Sequence, residues 1–207
     1  LLLKGTDKKI WGEKTNVAWS KIVDFFDMYP NGRVINIIRD PRAVLFSWKN
    51  FTKAPENDYL DSIINSHNAM SKAIEYNDIY RDKKYITIVY EELIENPSST
   101  MRKVCDKLKI EYSENMLEQA KFKDMHGKSW KSNSVDGKPP DGIYKNALSK
   151  WKDGLEDWET ALCEKITGSL FEDFGYVESL DTCSQSVTNK MISEINKSTL
   201  ASDGFIR

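Results

Sequence analysis

The feature that most constrains this chain is a strand that runs straight into a charged turn. Val34-Ile35-Asn36-Ile37-Ile38 is short, β-branched and almost wholly apolar, and Arg39-Asp40-Pro41-Arg42 follows it without a spacer. So apolar a run reads as a buried strand, of the kind found in parallel sheets covered on both faces. Pro41 suits the first turn of a new helix, with Asp40 at its N-cap. Val44, Leu45 and Trp48 then lie on that helix's buried face. A second strand, Tyr85-Ile86-Thr87-Ile88-Val89-Tyr90, ends in the same manner at Glu91-Glu92, and Asn96-Pro97 opens the next helix, with Met101, Val104, Cys105 and Leu108 on its apolar face. Strands joined through helices require crossover connections, so the expected fold is α/β with a parallel sheet.

The remaining elements fit that frame. Ile22, Phe25, Phe26 and Tyr29 recur at helical spacing within residues 17–29, and Leu60, Ile63, Ile64, His67, Met70 and Ile74 do so within residues 58–80. Residues 9–13 offer a third candidate strand, and residues 115–122 a further helix. Residues 125–146, with three Gly, two Pro and four Lys, read as a long loop, a length that in compact domains points to function or disorder. Leu155, Trp158, Leu162, Ile166 and Leu170 mark the last amphipathic helix of the domain, closed near Gly175. The expected division is a domain over residues 1–177 and a polar tail over 178–207 with one short helix at 187–195. Two strands make a thin α/β sheet, which fits a chain lacking an N-terminal βα unit.

Composition removes several functions. Thirty Lys and Arg stand against thirty-two Asp and Glu, a net charge of −2, which argues against a general nucleic-acid binder. Six Trp, nine Tyr and eight Phe provide ample core material and exclude wholesale disorder. No run approaches the roughly 18 apolar residues of a membrane span. Three widely spaced cysteines and two histidines give neither a zinc ribbon nor a disulfide scaffold, so no metal is expected and a reducing, cytoplasmic setting is. Gly127-Lys128-Ser129 resembles the end of a phosphate-binding loop, but Phe122 stands where its first glycine is needed and no strand precedes it.

Chemistry is expected beyond the carboxyl ends of the strands, where open parallel sheets bind ligands. Arg39 can fork onto a phosphate there, and the helix starting two residues later adds backbone N–H groups and a dipole. Ser47, eight residues on, can offer a hydroxyl. The alternative is a surface network, Arg39 with Asp40 or Arg42 with a glutamate. Glu13-Lys14 sets an acid beside a base: two solvated charges, or, at a strand end, a proton acceptor beside an oxyanion partner.

These residues resemble those of PAPS-dependent sulfotransferases. VINIIRDPRAVLFSWKNF, residues 34–51, is similar to the family's 3′-phosphate-binding segment, in which a serine follows the first arginine by eight. WGEKTN at 11–16, VYEELIENP at 89–97 and ALSKW at 147–151 resemble, in order, the Glu-Lys-Thr/Ser segment, the Tyr-Glu-Asp/Glu-Leu segment and the late cofactor loop of tyrosylprotein and bacterial sulfotransferases. The resemblance spans residues 10–177. It implies a three-layer, P-loop-NTPase-like α/β fold with a central parallel sheet, whose first βα unit, carrying the 5′-phosphosulfate loop, is missing.

By the same resemblance, Arg39 and Ser47 hold the 3′-phosphate, while Tyr90 and Lys150 contact the nucleotide. Lys14 neutralises charge on the transferring sulfonate, and Glu13, matching a carboxylate of heparan-type N-sulfotransferases, takes the acceptor's proton. Ser134, or failing it Ser132, stabilises the sulfonate. PAPS is the donor and PAP the product, with no metal. The acceptor is a glycan, a peptide tyrosine or a small alcohol or amine, with no nucleic acid and no membrane span. A chain so truncated is expected to be inactive alone although its parent is an enzyme. The other reading is a non-catalytic nucleotide-binding or interaction module on the same scaffold.

Overall fold

The structure is a computed structural model that describes residues 10, 12–16, 18–51, 58–118, 122, 127–128, 148–179 and 184–198. A 3-10 turn over Ala18–Lys21 leads into helix α1 (Ile22–Met28), strand β1 (Arg33–Ile38) and helix α2 (Pro41–Phe51). A 3-10 turn at Asp58–Leu60 opens the long helix α3 (Asp61–Ile79), followed by strand β2 (Lys84–Val89), α4 (Tyr90–Glu95) and α5 (Pro97–Leu108). The one-turn α6 (Trp151–Gly154), then α7 (Asp157–Thr167) and α8 (Gln185–Ile195), complete the described elements.

β1 and β2 pair in parallel, in register from Arg33 opposite Lys84 to Ile38 opposite Val89. Side chains alternate between the faces of the sheet, which sort into layers. Val34, Ile38, Tyr85 and Val89 face α1 and α3, against Ile22, Phe26, Met70, Ala73 and Tyr76. Ile86 and Ile88 face the other way, against Val104 and Leu108 of α5. The expected mixed α/β fold with a parallel sheet is what forms.

Three details of the sheet and its flanks differ from the sequence reading. Gly12 and Glu13 carry no strand, so the sheet has two strands among the described residues. β1 is not uniformly buried: Ile35 and Ile37 are 47% and 53% exposed. They lie on the α5 face, where α5 centres on β2 and leaves β1 half covered. In residues 115–122, a 3-10 turn at Glu114–Met116 replaces the expected helix, and 119–121 lie outside the described residues.

The helix boundaries follow local chemistry. Asp40 caps α2 by accepting the Arg42 backbone N–H at 2.9 Å, and Pro41 fills the first helical position. Pro97 does the same for α5. Glu156 and Glu159 form a reciprocal capping box on α7. Gly175 closes the turns after α7 with φ +73°, a left-handed conformation that suits glycine.

The largest apolar cluster lies away from the sheet. Leu45 of α2, Leu60 and Ile63 around the start of α3, and Trp158 and Leu162 of α7 pack with Met191 and Ile195 of α8. The helix expected within the polar tail is therefore docked, and its apolar stripe completes this core. Among the described residues no helix is long and apolar enough to cross a membrane.

Candidate functional site

Two strand ends lie side by side. Beyond Ile38 and Val89 the chain turns at once into α2 and α4, so Arg39 and Tyr90 leave adjacent strands at the same level. The Arg39 guanidinium carbon sits 4.8 Å from the centre of the Tyr90 ring. A cation over an aromatic face is attracted by the ring quadrupole and is oriented by the stacking. Both residues are half-buried. This pair, at the carboxyl ends of parallel strands, is the arrangement in which an anion would be bound.

The two arginines of the turn have different surroundings. Arg42 is buried. Its Nε donates to Asp40 Oδ1 at 3.0 Å and its Nη2 to Asp40 Oδ2 at 2.8 Å, a bidentate fork. Its Nη1 donates to Glu164 Oε1 at 2.6 Å and to the Val177 carbonyl at 2.9 Å. Its guanidinium also lies over Trp151, at 4.2 Å, and Phe171, at 5.0 Å. Burial works against the cation, but the hydrogen bonds and charges of Asp40 and Glu164 outweigh it and raise the Arg42 pKa. The pairing of Arg42 with a glutamate thus exists, but in the interior and not on the surface. Glu164 also accepts the backbone N–H and hydroxyl of Ser179, at 2.9 and 2.7 Å, which ties residues 176–179 beneath the turn.

Glu91, one residue past Tyr90, links the strand ends. Its Oε1 accepts the Asp40 backbone N–H at 3.2 Å, and its Oε2 accepts the Tyr176 hydroxyl at 2.9 Å. Burial, then the charge of Glu91, pushes the Tyr176 phenol far above its usual 10.0, so it remains a donor. The motif that flagged Tyr90 also contained Glu91. Tyr176 lies eighty-five residues away and carried no sequence signal.

The other sequence candidates lie on different segments. Ser47 is exposed on α2, and Lys150 is exposed at the start of α6. Glu13 and Lys14 are exposed in an irregular segment, where Lys14 Nζ donates to Asn16 Oδ1 at 2.5 Å. Ser134 and Ser132 lie outside the described residues. Of the candidates, the described contacts join Arg39 and Tyr90 directly. A cleft of about 500 Å³ is lined by Asp40, Arg42, Trp151, Lys152 and Tyr176, among others, and neither Arg39 nor Tyr90 lines it. Among the described residues no group of three or more His, Cys, Asp or Glu is placed to hold a metal ion.

Comparison with known proteins bears on the family and the fold. No curated protein sequence matches the chain. In solved structures it is similar to the sulfotransferase domain from the Synechococcus PCC 7002 olefin synthase, at 20% identity and a TM-score of 0.53, covering 70% of this chain and 50% of that one. It is also similar to the sulfotransferase domain from the curacin biosynthetic pathway, at 17% identity and a TM-score of 0.57, covering 80% and 62%. The chain thus spans between half and two thirds of the length of these relatives, and at these identities the likeness is one of fold. The sequence model of the sulfotransferase family matches residues 3–114, more than half of the 207 and the part that holds both strands and both strand-end turns. The chain belongs to the sulfotransferase family.

Proposed function

We propose that this chain carries the nucleotide side of a sulfotransferase that moves a sulfonate from PAPS to a hydroxyl or amine acceptor. The observation that carries the reading is the Arg39–Tyr90 pair at the carboxyl ends of two paired parallel strands. A planar guanidinium with fixed donors suits a dianionic phosphate, and the start of α2 adds positive potential beside it. Arg39 would hold the 3′-phosphate, with Ser47 as a further donor and Tyr90 and Lys150 against the nucleotide.

The donor supplies an activated sulfonate, and the protein's part is positioning and charge stabilisation. As the acceptor oxygen or nitrogen bonds to sulfur, the bond from sulfur to the bridging phosphate oxygen breaks, and PAP leaves. Lys14 would counter charge developing on that side. Glu13 would take the acceptor's proton, and Ser134, or Ser132, would donate to the sulfonate oxygens. Both Glu13 and Lys14 stand in water, where ligands can reach them.

Calorimetric titration of the chain with PAP and with AMP tests the assignment. The two ligands differ by the 3′-phosphate alone. A hydrogen bond to a charged group is worth about 1.5–3 kcal/mol, or about ten- to a hundredfold in affinity. PAP is expected to bind more tightly by that margin, and Arg39→Ala to erase most of it. A folded chain with equal affinity for both ligands refutes the Arg39 assignment and favours a module without this nucleotide site.

A further inference from the structure

The parallel ladder ends at Ile38 and Val89, one residue short of the two side chains that form the candidate anion site. Beyond that point backbone pairing no longer sets the spacing of the strands, because each chain turns into its own helix. The Asp40 backbone N–H, on a residue 6% exposed, would otherwise be a donor with no strand carbonyl to meet. The Glu91 carboxylate takes the carbonyl's place at 3.2 Å. Its second oxygen is held by the Tyr176 hydroxyl at 2.9 Å. Tyr176 is anchored in turn: its ring stacks with Phe174 at 6.4 Å and meets Phe171 edge-on at 5.8 Å, in the cluster that also contains Ile38 and Val89. Asp40's own carboxylate is committed to Arg42, so it cannot substitute for Glu91.

We infer that Glu91 and Tyr176 are positioning residues, a side-chain extension of the sheet that holds Arg39 and Tyr90 at the same level for anion binding. Neither touches the nucleotide in this account, and the inference rests on the proposed role of Arg39. The phenol is the outer half of the device: without its hydroxyl, the carboxylate is held at one oxygen and can swing away from Asp40.

The experiment measures PAP and AMP affinities of the 207-residue chain by calorimetry, alongside urea midpoints, for wild type, Arg39→Ala, Tyr176→Phe, Glu91→Ala and Glu91→Gln. The readout is the ratio of the two affinities. Lost stability shifts the urea midpoint but affects both ligands equally, whereas lost positioning lowers the ratio. Tyr176→Phe keeps the ring packing and removes one hydrogen bond, so its ratio should fall about two- to tenfold. Glu91→Ala should fall further. Glu91→Gln, whose amide oxygen still accepts the Asp40 N–H, should recover part of the loss. If Arg39→Ala erases the ratio while Tyr176→Phe and Glu91→Ala keep it, the positioning role is wrong and the Arg39 reading stands. A wild-type chain with no preference for PAP overturns both.

Discussion

Replacing Arg42 by Met tests how the turn is built. The guanidinium is 5% exposed, and its partners Asp40 and Glu164 are 8% and 6% exposed at the side chain. One cation therefore sits between two buried carboxylates, and four hydrogen bonds use its Nε and both terminal nitrogens. Arg42→Met keeps an apolar side chain at the position but removes the guanidinium from over Trp151 and Phe171 and leaves two buried carboxylates without their cation. Removing one partner of a buried ion pair costs about 3–5 kcal/mol, because the remaining charge stays buried and uncompensated. For a domain whose whole stability is about 5–15 kcal/mol, that is a large fraction.

The assay is urea denaturation followed by tryptophan fluorescence, with the m value checked for constancy. Arg81→Met, which breaks a pair exposed at 74% and 75%, serves as the reference and should cost less than about 1 kcal/mol. Arg42→Met combined with Asp40→Asn and Glu164→Gln should recover part of the loss, since the buried charges go together. Hydrogen exchange adds a local readout: the Ser179 amide, held by Glu164, should lose protection in Arg42→Met. A loss in Arg42→Met no greater than in Arg81→Met would refute the reasoning.

Three other perturbations follow from the packing. Met191→Ala or Ile195→Ala, each removing a side chain of α8 from the largest core, should cost about 2–5 kcal/mol in urea, and a loss under about 0.5 kcal/mol would mean that α8 is not docked. Gly154→Ala would put a methyl carbon 2.0 Å from the Phe46 ring, so the ring must move, at a cost of about 1–3 kcal/mol by thermal or urea unfolding. Tyr59, Tyr85 and Tyr176 all have phenol pKa values raised from 10.0, chiefly by burial. The folded state therefore holds protons that the unfolded state releases. That contribution is complete below pH 10 and is lost as pH rises toward the folded values. Urea midpoints should fall above pH 10, less steeply in Tyr176→Phe. Titration of all nine tyrosines near pH 10 in folded protein would contradict this.

What was legible in the sequence was local. The strands announced themselves as apolar, β-branched runs, and Asp40-Pro41 and Asn96-Pro97 marked helix starts because the Asp40 cap and the missing N–H of each proline act within a few residues. The exposure of Ile35 and Ile37 was not legible, since burial depends on which helix covers which half of a sheet face. Nor was the docking of α8. Its stripe of Val187, Met191 and Ile195 is sparse in a polar segment, and only the groove between α7 and the start of α3 gives it value. At the candidate site, the motif pointed to Arg39 and Tyr90, which stack on each other. It separated Arg39 from Arg42 by position alone; that Arg42 is buried was not legible, because its partners Glu164 and Val177 lie more than a hundred residues away.

That separation follows from helix geometry. Arg39 precedes the Asp40 cap and Arg42 follows it, so the onset of α2 turns the two side chains in different directions from one short turn. Arg42 is carried onto Trp151, Phe171 and Glu164, all supplied by the C-terminal part of the chain. Arg39 stays at the strand end over Tyr90. Arg42 holds the turn through Asp40, Glu164 and the Val177 carbonyl, whereas the proposed anion contact falls to Arg39 at the strand end. Stability and binding should therefore separate cleanly. Arg39→Ala removes the stacking contact with Tyr90, worth about 0.5–1 kcal/mol, and should lower the urea midpoint less than Arg42→Met does while erasing most of the preference for PAP. Arg42→Met should do the reverse, lowering the midpoint while the protein that remains folded keeps most of its preference. Equal losses of stability and preference in both variants would mean that the two arginines share one role, and the division drawn here would fall.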